Sequence, residues 1–262
     1  MSVHPLAVVS EEAEISPDAD IGPFCVINGR VRIGAGTVVE PHAVIGSRFG
    51  SVTIGERNLI QSGAVVGGPP QDWSYSKAFD AKLTIGDDNR IGEYVTISLG
   101  TEKGGGETRI GNGNMLMAYS HVGHDCRLGD GIVMTNVCQL AGHVEVGDRA
   151  VLSGMSGATQ FVRIGAYAFL AGDSHANKDI PPFMIAEGHW ATLRAPNRVG
   201  LKRAGFDEAE RRNIERAARL LLDASLTIAD VIERIRAECT PSPQIESFVA
   251  FLESSTRGIA RR

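Results

Sequence analysis

Residues 110–146 read IGNGNMLMAYSHVGHDCRLGDGIVMTNVCQLAGHVEV, and an aliphatic side chain recurs in this stretch at every sixth position. The positions that share this spacing are Ile110, Leu116, Val122, Leu128, Met134, Leu140 and Val146. An α-helix would scatter them around its axis, because a six-residue step rotates the chain by about 240° at about 3.6 residues per turn. A short strand followed by a turn, repeated every six residues, keeps all of them on one inner side. The stretch therefore predicts a β-solenoid.

The same period extends in both directions from this stretch, with changes of phase before Ile54, Ile85 and Ile110. It is carried by Ile15, Ile21, Ile27, Ile33, Val39, Ile45, Ile54, Ile60, Val66, Ile85, Ile91, Ile97, Leu152, Ala158, Ile164, Leu170 and Ala176. Three hexads make one triangular coil of 18 residues, and successive coils pair at a strand spacing of about 4.8 Å. A β-sandwich is the weaker alternative, because strand alternation does not give a strict six-residue register. We predict a mainly β fold with a solenoid domain over residues 1–185.

Two insertions interrupt the coils, near residues 67–82 (GGPPQDWSYSKAFDAK) and 99–109 (LGTEKGGGETR). Insertions on a regular solenoid often carry function. The glycine run 104–106 lacks the Lys-Ser/Thr pair and the strand–loop–helix context of a phosphate-binding loop, so it predicts a plain flexible loop.

The six-residue period stops at Ile180-Pro181-Pro182, and a helical period follows. Asp207 and Glu210 form a capping box for a first helix, Thr227 caps a second, and a third follows Pro243. We therefore predict a C-terminal α-helical domain over residues 186–262, which can cap the end of the solenoid.

Composition excludes several classes of protein. The net charge of −5 gives no basic field for nucleic acid. The N-terminus lacks the basic and apolar regions of a signal peptide, and no stretch reaches the roughly 20 apolar residues of a membrane span. The four cysteines show no CxxC pairing and read as free thiols in a reducing compartment. We therefore expect a cytoplasmic protein without a transmembrane segment.

The residues with catalytic chemistry concentrate around one histidine-rich stretch. His124 should point outward beside Asp125, and an imidazole next to a carboxylate can act as a general base. His121 precedes His124 by three residues, and His143 follows it by 19, which is one coil plus one residue. The three histidines therefore share one edge, where Gly142 could offer a backbone N–H to an oxyanion.

Two other interpretations of these histidines are weaker. Surface histidines without a role are common, but three on one edge with an adjacent Asp favour a site. A zinc site would resemble the hexapeptide-repeat carbonic anhydrases, in which two histidine ligands are five residues apart. His121 and His124 are three apart, so we expect no metal.

The whole chain, including its helical tail, resembles the UDP-N-acetylglucosamine O-acyltransferase family of lipid A synthesis, within the hexapeptide-repeat acyltransferases. The motifs that carry the resemblance are SHVGHDC at 120–126, LAGHV at 140–144, Gln71-Asp72, Gln160-Phe161, Ile180-Pro181-Pro182, Gly200-Leu201-Lys202-Arg203 and Ser255-Thr256-Arg257-Gly258. The resemblance implies that the coils form a left-handed parallel β-helix, whereas general rules for connections between parallel strands favour the right hand. It also implies a homotrimer with active sites between neighbouring subunits.

The resemblance further implies the reaction and the role of each site residue. A 3-hydroxyacyl chain passes from the phosphopantetheine of acyl carrier protein to a UDP-amino sugar, with no other cofactor. His124 is then the general base, Asp125 orients it, and Gly142 is the oxyanion donor. The implied substrate-binding residues are Gln71, Asp72, His121, His143, Gln160, Asn197 and Arg203. Gly172 falls where the family measures acyl-chain length, and glycine there leaves room for a longer chain.

Five positions depart from the family pattern, namely Ser74, Ser98, Thr159, Val199 and Ala204. None of them is a catalytic residue, but they leave the identity of the acceptor sugar open. We expect transfer to the 3-position of UDP-GlcNAc, with its 3-amino analogue as the alternative.

Other function classes fit less well. The sister N-acyltransferase of the pathway carries a globular domain before its solenoid, whereas here the hexads begin by Ile15. Acetyltransferases that use coenzyme A usually lack this helical tail. Ice-binding solenoids need regular threonine arrays, and a scaffold has no need for three histidines on one edge.

Overall fold

The computed structural model describes residues 2–75 and 79–261, so residues 76–78 of the first predicted insertion lie outside the described residues. The chain forms a parallel β-helix whose coils have three short strands each. The first face contains Ser2–Val3, Asp20–Ile21, Val38–Val39, Leu59–Ile60, Arg90–Ile91, Met115–Leu116, Val133–Met134, Val151–Leu152, Phe169–Leu170, Met184–Glu187 and Thr192–Pro196. The second face contains Val8–Val9, Val26–Ile27, Val44–Ile45, Val65–Gly68, Thr96–Ser98, His121–Val122, Gln139–Leu140, Gly157–Ala158 and His175–Ala176. The third face contains Glu14–Ile15, Arg30–Ile33, Gly50–Ile54, Ala81–Ile85, Glu107–Ile110, Arg127–Leu128, Glu145–Val146 and Arg163–Ile164.

The predicted inward positions form the core of the solenoid. Val122, Leu140 and Ala158 lie above one another on the second face, because Val122 pairs with Leu140 and Leu140 with Ala158 in parallel register. All three side chains are buried. Burying an aliphatic side chain of this kind contributes about 1.5–3 kcal/mol, so the repeated register is the main source of stability.

The coils turn at residues with left-handed backbone conformations. The third residue after an inward aliphatic has a positive φ at most corners, including Tyr119 (60°), Asp125 (61°), His143 (62°) and Met155 (57°). Non-glycine residues adopt this conformation at a cost of about 1–2 kcal/mol. The turn reorients the chain from one face to the next and fixes which side chains share a corner.

The solenoid does not end where the hexad pattern stops. Met184–Glu187 pairs in parallel with Phe169–Leu170 and in antiparallel with Thr192–Pro196. The predicted domain boundary between residues 185 and 186 therefore falls inside a strand, and the helical part begins only after this hairpin.

The described residues after this hairpin form four helices, α1 (Arg198–Arg203), α2 (Glu208–Leu222), α3 (Ile228–Glu238) and α4 (Pro243–Glu253). Asp207 caps α2 as predicted, but Glu210 accepts a hydrogen bond from Ser242 instead of completing a capping box. The capping box lies at α3, between Thr227 and Asp230. The short α1 was not predicted. Among the described residues, no helix is long and apolar enough to cross a membrane.

Candidate active site

The edge between the second and third faces carries two columns of side chains. His124, Gly142 and Gln160 are the second residues after successive inward positions, and Asp125, His143 and Phe161 are the third. Members of each column are 18 residues apart, so they lie one coil above another. The register of the solenoid thus brings together residues that are distant in sequence.

His124 and Asp125 form a buried pair. His124 Nδ1 lies 2.7 Å from Asp125 Oδ2, and the side chains are 6% and 0% exposed. Because the carboxylate only accepts, Nδ1 carries the proton and Nε2 is left as the basic nitrogen. His124 was predicted to point outward. It does point away from the core, but it is buried against Gly142 and His143 of the next coil.

Asp125 is held as a carboxylate by its hydrogen bonds. Burial alone would raise the pKa of Asp125, but hydrogen bonds from His124 and Thr101 outweigh that effect, and the pKa lies below its ordinary value. The Asp125 backbone N–H also donates to Thr108 Oγ1 at 2.8 Å. An ionised Asp125 can orient His124 and stabilise the imidazolium that forms when His124 takes a proton.

Two further histidines flank the pair. His143 stacks on Phe161 with ring centroids 4.3 Å apart, and its Nε2 lies 3.7 Å from Asp125 Oδ2. His121 Nδ1 lies 2.7 Å from Thr96 Oγ1. Desolvation lowers the pKa of both His121 and His143. Both imidazoles therefore favour the neutral form and can exchange hydrogen bonds with a substrate.

Gly142 lies against the face of His124. A Cβ built on Gly142 would be 2.4 Å from His124 Cε1 and 2.5 Å from Nε2. Within residues 2–75 and 79–261, the Gly142 N–H donates to no hydrogen-bond acceptor. Glycine therefore leaves room for the imidazole and keeps a backbone donor available beside it.

His124 and Gly142 line a cleft of about 410 Å³ along the second face. Its walls include Gln71, His121, His124, Gly142 and Gln160, and its far end is lined by His175 and Trp190. The sequence did not indicate His175 or Trp190 as site residues, because His175 lies in the last hexad of the pattern and Trp190 lies beyond it.

The two insertions are joined beside this cleft. Asp72 accepts hydrogen bonds from the Ser74 N–H and hydroxyl at 2.8 and 2.9 Å, which lower the pKa of Asp72. Lys103 Nζ in turn donates to Ser74 Oγ at 2.9 Å. Ser74 thus connects the first insertion to an ammonium group of the second.

Three predicted site residues lie elsewhere. Asn197 and Arg203 line a second cavity of about 500 Å³ on the first face, together with Val199 and Ala204. The Asn197 amide caps α1 through the Gly200 N–H and donates to the Tyr167 carbonyl. Gly172 lies at the corner between the first and second faces, outside both cavities.

A metal ion could in principle use part of the same site. Ligand atoms of His124, Asp125 and His143 lie within 4.8 Å of one another. Asp125 Oδ2 already accepts hydrogen bonds from Thr101 Oγ1 and His124 Nδ1, however. The arrangement therefore favours proton transfer over coordination.

Comparison with known proteins identifies the family. Residues 179–260 match the family model described as Udp N-acetylglucosamine O-acyltransferase, Domain 2. An acyl-(acyl-carrier-protein)–UDP-N-acetylglucosamine O-acyltransferase from Syntrophobacter fumaroxidans is 42% identical over 262 residues, covering 100% of both chains. The chain belongs to the UDP-N-acetylglucosamine O-acyltransferase family. A second O-acyltransferase of the same name, from Thermodesulfovibrio yellowstonii, is 39% identical over 99% of each chain.

A solved structure extends this agreement to the fold. The UDP-N-acetylglucosamine O-acyltransferase of Moraxella catarrhalis RH4 is similar with a TM-score of 0.95, 35% identity and 100% coverage of both chains. The predicted fold class, a left-handed parallel β-helix with a C-terminal helical part, is confirmed.

Proposed function

We propose that this O-acyltransferase moves a 3-hydroxyacyl chain from acyl carrier protein to the 3-hydroxyl of UDP-GlcNAc, the first step of lipid A biosynthesis. The relatives named for this reaction match the full length of the chain. The observation that carries the chemistry is the buried His124–Asp125 pair with the Gly142 N–H beside it.

The proposed mechanism needs no covalent enzyme intermediate. His124 Nε2 takes the proton of the sugar 3-hydroxyl as its oxygen attacks the thioester carbonyl of the phosphopantetheine-bound acyl chain. The Gly142 N–H donates to the resulting oxyanion. When the intermediate collapses, the carbon–sulfur bond breaks, the thiolate takes the proton from His124, and the products are an ester and a thiol. A positioned base supplies about 10²–10⁴ in rate, and an oxyanion donor about 2.7–4 kcal/mol.

The acceptor is tested by comparing UDP-GlcNAc with its 3-amino analogue, each with carrier protein loaded with 3-hydroxyacyl chains of graded length. We expect higher kcat/KM with UDP-GlcNAc. The analogue remains the second candidate because two of the departures, Val199 and Ala204, line the same cavity as Asn197. Thr159 lines the catalytic cleft, and its buried hydroxyl has no partner among the described residues. A preference for the amine would replace the ester product by an amide, and failure of both acceptors would contradict the proposed function.

We also propose Gly172 as the residue that sets acyl-chain length. A Cβ there would lie 3.5 Å from the Gly154 carbonyl oxygen and 3.9 Å from Ser153 Cβ, which are ordinary contacts. The Gly172→Met variant should therefore fold normally and shift the preferred donor to shorter chains. The same graded-length assay measures this shift, and an unchanged length profile would remove Gly172 from the acyl site.

The assembly that we propose is a homotrimer, argued from an apolar edge between the first and second faces. Its exposed side chains, which are 43–60% accessible, are Phe24, Tyr94, Tyr119, Val137 and Met155. An exposed apolar ridge of this length marks a protein interface, and cyclic homo-oligomers bury such ridges between identical subunits.

The trimer would also complete the substrate site. The cavity around Asn197 and Arg203 and the cleft around Gly142 lie on different faces of the same coils. A parallel trimer would bring these two faces of neighbouring subunits together at one level. Light scattering should give three times the chain mass of 27.9 kDa, and a monomeric mass with full activity would contradict the proposal.

We propose that the reaction takes place in the cytoplasm. All four cysteines are free and buried, which fits a reducing compartment.

A further inference from the structure

The second insertion packs onto the carboxylate of the catalytic pair. It folds as a short 3₁₀ turn, Glu102–Gly104, with Thr101 as its N-cap. The Thr101 N–H donates to Asp125 Oδ1 at 2.7 Å, and the Thr101 hydroxyl donates to Asp125 Oδ2 at 2.6 Å. Thr101 is 3% exposed. One residue of the insertion therefore reaches both oxygens of a buried carboxylate that lies 24 residues further along the chain.

The glycine run at residues 104–106 explains how the second insertion can pack so close to the Asp125 carboxylate. A Cβ on Gly104 would lie 1.9 Å from Asp125 Cγ, so no larger residue fits there without moving the carboxylate. The Gly104 and Gly106 N–H groups donate to Thr101 Oγ1 and to the Thr101 carbonyl, at 3.2 and 2.7 Å. These bonds hold the Thr101 hydroxyl in place. The run serves close packing against Asp125, a role that the prediction of a plain flexible loop did not include.

Thr101 also determines how Asp125 can bond to His124. Oδ1 is satisfied by the Thr101 N–H, so Oδ2 is the oxygen that faces His124 Nδ1. Without the Thr101 hydroxyl, His124 Nδ1 would be the one hydrogen-bond partner left to Oδ2 among the described residues, with His143 Nε2 farther away at 3.7 Å, and the carboxylate could rotate about its Cβ–Cγ bond. A buried group that loses a hydrogen bond is destabilised in its charged form.

We propose that Thr101 is a positioning residue for the acyl transfer, one that fixes Asp125 so that His124 keeps its base nitrogen turned toward the cleft. This inference rests on the proposed function of His124 and Asp125. It assigns to the second insertion a role in the reaction, although Thr101 itself is not among the residues that line the cleft.

The test compares Thr101→Val, which removes only the hydroxyl, with Thr101→Ser, which keeps it. Thr37→Val is the matched control, because the Thr37 hydroxyl is equally buried, donates to the Gly55 carbonyl and accepts from the Asn58 N–H. We expect Thr101→Val to lower kcat about tenfold or more with KM for UDP-GlcNAc little changed, since a misplaced base costs rate rather than binding. Thr101→Ser should restore most of the rate. Thr37→Val should lose similar thermal stability and keep the wild-type kcat.

The pH profile separates positioning from a merely structural role. Hydrogen bonds from His124 and Thr101, together with the nearby His143, hold the pKa of Asp125 below its ordinary value. Removing the Thr101 hydroxyl should raise that pKa, so the part of the loss of kcat that is due to protonation of Asp125 should begin at a higher pH in Thr101→Val. The Thr37→Val and Thr101→Ser profiles should overlay the wild type.

A second readout does not depend on turnover. In protein labelled with ¹⁵N-histidine, the Nδ1–H signal of His124, assigned by its loss in His124→Ala, should shift or broaden in Thr101→Val and not in Thr37→Val. A Thr101→Val enzyme with wild-type kcat, pH profile and His124 signal would overturn the proposal while leaving the proposed function intact. If the wild type is inactive on both acceptors, the proposed function fails, and the His124 signal alone decides whether Thr101 positions the pair.

Discussion

The His124→Ala variant is expected to lose about 10²–10⁴ in kcat for acyl transfer, the usual contribution of a positioned general base. The reason is geometric. His124 Nδ1 is occupied by Asp125 Oδ2, so the ring has one free basic nitrogen, and it faces the cleft beside Gly142. Alanine leaves Asp125 in place, but a carboxylate held by Thr101 cannot reach the cleft.

The measurement is a single-turnover assay with loaded carrier protein and UDP-GlcNAc. His4→Ala is the control, because His4 is exposed near the N-terminus and its Nδ1 accepts a hydrogen bond from the Leu6 N–H, far from the catalytic pair in the solenoid. It should keep the wild-type rate. A His124→Ala enzyme within about threefold of the wild-type rate, far less than the usual effect of a general base, would mean that another group accepts the proton.

Gly142→Ala should produce a loss of similar size without removing any functional group. The new methyl carbon would stand 2.5 Å from His124 Nε2, the atom that must accept the proton. The imidazole has to move, and a displacement of about 1 Å at a catalytic group can cost about 10² in rate. The backbone donor for the oxyanion would shift with it.

Two comparisons isolate this effect. Gly154 occupies the same place in its hexad, and a Cβ there would meet nothing closer than 3.6 Å. Gly154→Ala should therefore keep the wild-type thermal midpoint, which would show that alanine itself is tolerated at this place in the hexad. In a His124→Ala background the clash disappears, so Gly142→Ala should cost much less there than in the wild type. Fully additive losses would show that Gly142 does not act through His124.

The residues of the repeat could be predicted because the solenoid converts sequence spacing into position. A spacing of 18 residues puts two side chains on one edge, so the neighbourhood of His124, Gly142 and His143 followed from arithmetic alone. The inward aliphatics and the helix caps at Asp207 and Thr227 followed from equally local rules.

Residues outside the repeat could not be predicted in this way. The path of the second insertion depends on tertiary packing, so nothing in its sequence indicated that Thr101 would bond to Asp125. The Asn197 side-chain amide is likewise already hydrogen-bonded. Its oxygen accepts from the Gly200 N–H in the cap of α1, and its nitrogen donates to the Tyr167 carbonyl. One signal was present in the sequence, since three successive glycines indicate close approach of the backbone to another group.

The parallel register also has a consequence for how the enzyme could measure its acyl chain. Gly154 and Gly172 occupy equivalent positions in adjacent coils, and coils are separated by about 4.8 Å. A blocking side chain can therefore be moved along the solenoid only in steps of that size. Each step corresponds to roughly four methylene groups, because a zigzag chain with carbon–carbon bonds near 1.5 Å advances only about 1.25 Å per bond. Large changes in the length of the accepted acyl chain would require a blocking side chain on a different coil. Fine changes would require a different side chain on the same coil.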